Sequence, residues 1–76
     1  MALVRKFKKL DGERYQLHSE VEARYAAFER DGKAFFQVNT YGREDREMPG
    51  KVSQTIQLDR DGAAQLVEIL RKTFNL

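Results

Sequence analysis

Seventy-six residues, a net charge of +2, five Phe, three Tyr and no cysteine leave no room for a second domain, a disulfide framework or a thiolate metal site. A domain of this size buries only about 60% of the surface its unfolded chain exposes, so its core is thin and a second copy is a natural source of stability. No apolar run approaches the roughly 20 residues of a membrane span. The start, "MALVRKFKKL", lacks the apolar core and cleavage site of a signal peptide, so the reading is a cytoplasmic protein without a membrane partner.

The charge is uneven. In residues 1–12, Arg5, Lys6, Lys8 and Lys9 against Asp11 leave +3, and the rest of the chain is close to neutral. This basic arm suits contact with a polyanion and equally suits a solubilising tail. Alternation predicts a first strand from Leu3 to Lys9, with Leu3 and Phe7 on one side; the alternative is a free arm. Asp11-Gly12 and Asp31-Gly32 predict hairpin turns, because both residue types tolerate positive φ. Between them, Arg14 to Glu29 alternates with period two. Tyr15, Leu17, Val21, Ala23, Tyr25 and Ala27 fall on the apolar side, which predicts a long half-buried strand with a break near Ser19-Glu20.

The next segment, "KAFFQVNTY", puts Ala34, Phe36, Val38 and Thr40 on one face and Phe35, Gln37, Asn39 and Tyr41 on the other. A long polar connection, "REDREMPGK", carries alternating charges and the single proline, and is longer than a hairpin needs. Surplus loop of this kind is either slack or a contact surface. "VSQTIQL" then directs Val52, Ile56 and Leu58 inward and Ser53, Thr55 and Gln57 outward. The last segment is a helix. Asp59 is its N-cap, Ala63, Leu66, Val67, Leu70 and Phe74 form its apolar stripe, and Arg71 and Lys72 favour its C-terminal dipole. Ile69 lies off that stripe, which predicts a second buried side and hence a partner chain. The fold class expected is α+β: a curved antiparallel sheet of four or five strands in a meander, followed by one C-terminal helix. Residues 1–12 form the arm or extra strand, 13–58 the sheet and 59–75 the helix, in one domain.

If the helix covers the Phe36, Val38 and Ile56 side, the opposite face carries Arg24, Phe28, Phe35, Gln37, Asn39, Tyr41, Ser53, Thr55 and Gln57. Aromatic rings interleaved with cations and amides on a flat sheet suit unpaired nucleic acid, because bases stack on rings while cations meet phosphates. The competing reading is that these rings enter a second small core or a dimer interface. Catalysis has little to build on: His18 is the single histidine, at a polar strand position, with no cysteine beside it. Glu44, Asp45 and Glu47 are interleaved with Arg43 and Arg46 and lack the spacing of a calcium loop. The expectation is a protein that is not an enzyme and has neither cofactor nor metal.

Arg24-Tyr25, Gly32-Lys33, Tyr41, Met48-Pro49-Gly50-Lys51, Ile56-x-Leu58 and Leu66…Ile69-Leu70 follow one another in an order that resembles the positive cofactor four family. These are transcriptional coactivators with a single-stranded-DNA-binding domain, and the family has bacterial and phage members. The match covers roughly residues 21–74. The resemblance implies a four-stranded antiparallel sheet and a helix that dimerises, here through Leu66, Ile69, Leu70 and Phe74, with grooves that hold unpaired DNA. It implies that Arg24, Lys33 and Lys51 are basic groove residues. With Phe28, Arg30, Phe35, Gln37, Asn39 and Tyr41 they make up the expected nucleic-acid-binding set, and the arm adds Arg5, Lys6, Lys8 and Lys9.

The chain departs from the family pattern where Gly42 and Met48 replace an aromatic and a lysine, and where Glu22 and Glu29 replace basic residues. The hairpin between the second and third strands is also one residue shorter. The implied protein is a homodimer that binds single-stranded DNA, or RNA, with little sequence preference, in transcription or DNA maintenance, at the nucleoid if bacterial. On this view Pro49-Gly50 turns the long loop so that Lys51 reaches the phosphate backbone. The alternative is an adaptor or a phage or plasmid inhibitor that uses the same sheet to bind a protein.

Overall fold

The computed structural model describes residues 1–12, 14–42 and 51–76. It contains β1 (Ala2–Val4), β2 (Ala23–Arg30), β3 (Lys33–Tyr41), β4 (Val52–Leu58) and α1 (Arg60–Phe74). The four strands form one sheet in the order β1-β4-β3-β2. The class is α+β, as expected. β2, β3 and β4 form the antiparallel meander, whereas β1 lies parallel to β4, so the sheet is mixed rather than antiparallel throughout.

The β2–β3 hairpin follows directly from its turn. Asp31 and Gly32 take φ of 55° and 75°, the two positive values of a tight turn whose twist matches the flanking strands. Arg30 then faces Lys33, and the ladder runs unbroken to Ala23 opposite Thr40. β3 ends at Tyr41, whose N–H donates to the Glu22 carbonyl at 3.2 Å. Beyond that bond an incoming strand has no partner among the described residues. This is why the long strand expected from Arg14 is confined to Ala23–Arg30, and why the alternating residues before it lie outside any strand.

The first strand is likewise shorter than Leu3–Lys9, and its chain neither continues the ladder nor hangs free. After Val4, the Gln65 side chain donates to the Arg5 carbonyl at 3.2 Å and accepts from the Phe7 N–H at 2.9 Å. These backbone groups are satisfied by a helix side chain instead of a neighbouring strand. Since β1 and β2 lie at opposite edges of the sheet, Asp11-Gly12 joins no hairpin.

Asp59 caps α1 as expected, its carboxylate accepting from the Gly62 N–H at 2.8 Å. Asn75, in the left-handed conformation, closes the other end. Gly62 has a further role: a Cβ there would collide with the Val4 carbonyl oxygen, so its absence lets β1 lie against the helix start. The alternation of β4 holds from Gln54 to Leu58. A register shift then sets Val52 opposite Tyr41, which removes it from the inward row with Ile56 and Leu58.

Burial is slight. Among the described hydrophobic residues only Leu58 is buried. The helix reaches half-burial through Leu66, and every residue from Val67 onward is exposed. The helix is not long and apolar enough to cross a membrane.

Candidate nucleic-acid interface

Strand register sorts the side chains into two faces. Ala23, Tyr25 and Ala27 stand opposite Thr40, Val38 and Phe36, and these in turn oppose Gln54, Ile56 and Leu58. This is the helix side. The other face presents Arg24, Phe28 and Arg30 from β2, Lys33, Phe35, Gln37, Asn39 and Tyr41 from β3, and Thr55 and Gln57 from β4. Eight of the nine predicted binding residues therefore share one surface. The ninth, Lys51, is exposed and immediately precedes Val52, the partner of Tyr41, so it stands at the Tyr41 end.

Three features cross this face. At the hairpin end Phe28 and Phe35 are directly opposed and stacked, with centroids 5.6 Å apart and planes at 24°. In the middle, Gln37, Asn39, Thr55 and Gln57 are joined by side-chain hydrogen bonds of 2.9–3.1 Å. At the far end the Arg24 guanidinium lies 4.8 Å from the centre of the Tyr41 ring. Glu22 binds Arg24 and pushes its pKa upward, first through their hydrogen bond and then through its charge. That carboxylate offsets part of the Arg24 charge. Glu29 stands opposite Ala34 in the helix-side row, whereas Arg30 stands opposite Lys33 in the open-face row.

The arm is not gathered into this surface. Arg5 pairs with Asp59 at 3.0 Å, and the chain through Phe7 is bound to Gln65 of the helix, while Lys6, Lys8 and Lys9 remain exposed. A concavity of about 790 Å³ opens between the hairpin end and the helix start. Arg5, Lys33 and Arg60 line it together with Glu29, Asp59 and Asp61, so its charges balance and it is a poorer path for phosphates than the open face. The long loop, with Pro49-Gly50 and the acidic cluster Glu44, Asp45 and Glu47, lies outside the described residues.

The expected dimer residues fall on the exposed part of α1. Ile69, Leu70 and Phe74 are 43%, 39% and 66% exposed, while Leu66 is half-buried. The same side exposes apolar residues that the alternation and the helix stripe place in the core. Val67, Ile56 and Tyr25 were assigned to the core, yet all three are exposed on the helix side. Tyr25 stacks on Phe36 across the strands and remains 76% exposed. The sequence carries no signal for this, since its apolar content of 41% is ordinary for a globular domain. Comparison with known protein families, with curated proteins and with solved structures gives no match.

Proposed function

We propose that the chain binds single-stranded DNA with little sequence preference, as a homodimer, and that it is a divergent protein of the positive cofactor four kind acting in the cytoplasm. The observation that carries this reading is the composition of one sheet face. A stacked ring pair, an amide block and a ring-bound guanidinium lie in a row, with Arg24, Arg30 and Lys33 along their border. Unpaired bases need flat rings at intervals, and their phosphates need cations beside those rings. The exposed apolar residues of α1 and the sheet behind it support a second copy as the missing cover, because a lone domain this small gains little from its own core.

Fluorescence anisotropy with a labelled oligothymidine of about 20 nucleotides tests the reading. Binding should prefer the single strand to duplex and weaken with salt, with a logarithmic slope of about −0.7 per phosphate neutralised. Salt-insensitive behaviour, or no binding at low salt, rejects it and turns attention to protein partners of the same face.

A further inference from the structure

The polar block on the open face has a direction. Gln37 stands opposite Gln57, and Asn39 opposite Thr55. Gln57 Nε2 donates to Gln37 Oε1 at 2.9 Å, and Gln37 Nε2 donates to Asn39 Oδ1 at 3.1 Å. The Thr55 hydroxyl donates to the same Asn39 oxygen at 3.0 Å. Every donation runs toward Asn39, whose carbonyl lone pairs are both occupied. Its Nδ2 has no hydrogen-bond partner among the described residues. Two N–H donors are thereby held in a fixed orientation at a half-buried position, two residues along the strand from the Tyr41 ring.

A base that stacked here and offered no acceptor would strip water from those donors and leave them unpaired, which is costly. Thymine and uracil present two keto oxygens; adenine's N7 also accepts, but its usual bidentate pair with an asparagine needs the amide oxygen for the N6 amino group, and the Asn39 oxygen is already taken by Gln37 and Thr55. Resting on the nucleic-acid reading above, we propose that Asn39 is a specificity-determining residue that donates to a keto oxygen of an unpaired base and favours thymine over adenine. The preference is modest and is superimposed on sequence-tolerant stacking and phosphate contact.

The test uses the full chain and three oligomers of about 20 nucleotides: oligothymidine, oligoadenosine, and an oligomer carrying difluorotoluene in place of thymine. Difluorotoluene keeps the shape and stacking of thymine but lacks its keto oxygens. Parent protein should bind oligothymidine about three- to tenfold more tightly than the isostere for each base recognised. Asn39→Leu should bind the two alike with an unchanged salt slope. Asn39→Asp keeps the oxygen that accepts from Gln37 and Thr55 and removes the donors, so it too should lose the discrimination, whatever its absolute affinity. Equal binding of thymine and isostere by the parent, a preference for adenine, or discrimination that survives in both variants overturns the role of Asn39 and leaves the nucleic-acid reading standing. Failure to bind any of the three oligomers overturns both.

Discussion

Phe35 illustrates how one side chain can be assigned to a surface from strand register. It alternates with Phe36 along β3; Phe36 belongs to the helix side, while Phe35 pairs with Phe28 on the open face. If this pair stacks a base, Phe35→Ala should weaken oligothymidine binding by about 1–3 kcal/mol and leave circular dichroism unchanged. A loss of folding instead would identify the pair as core. Asp59 is the residue that couples the fold to pH. Its carboxyl is held below the usual range chiefly by the Gly62 N–H, with Arg5 adding to the effect against the cost of desolvation. A depressed folded-state pKa means that the contribution is complete above the unfolded value of about 3.9 and is lost as pH falls through the folded value. Thermal unfolding of Asp59→Asn, which keeps a capping oxygen but cannot titrate, should show a shallower fall in stability below about pH 4 than the parent. An identical fall would place the acid sensitivity elsewhere.

At the scale of elements, the junction of β1 with α1 depends on a glycine that helix propensity alone would reject. Gly→Ala within a helix ordinarily stabilises by about 1 kcal/mol. At Gly62 the added methyl would meet the Val4 backbone oxygen, which belongs to a paired strand and cannot simply rotate away. Gly62→Ala should therefore destabilise, by about 1–3 kcal/mol in urea unfolding, and should raise amide exchange in β1. A stabilised variant would show that β1 is not docked there in solution. The second half of α1 poses the opposite problem: apolar side chains left 39–66% exposed. Leu70→Asp should convert the dimer to monomer in sedimentation equilibrium while preserving helix content. A parent that sediments as a monomer at all concentrations removes the dimer from the proposal.

For the whole molecule, charge matters through its placement, not its sum. The net +2 predicts little attraction to a polyanion. Yet register puts Glu29 in the helix-side row and sets Arg30 opposite Lys33 in the row of the stacked rings, with Lys33 also reaching the concavity that Glu29 lines. Lys33→Ala and Lys51→Ala should each reduce the magnitude of the logarithmic salt slope by about 0.7. The arm variants Lys8→Ala and Lys9→Ala should change it less, since the arm's start is bound to the helix. Equal slopes for all four variants would mean that the cations do not meet phosphates at this face.

Local patterns determined much of this protein. Period-two alternation located β3 and β4 to within a residue, Asp31-Gly32 placed the hairpin through its positive φ values, and Asp59 with the Leu66–Leu70 spacing placed the helix. These features depend only on near neighbours in the chain. The same alternation overextended two strands, because a strand also needs a partner, and β3 runs out at Tyr41 while Gln65 takes the backbone bonds after Val4. Long-range pairing alone decided that β1 lies parallel at the far edge, that Asp11-Gly12 turns no hairpin and that Val52 leaves its row. It also decided that the amides of two strands form one directional block, since side chains some 20 residues apart in sequence become neighbours only when the register between their strands is set.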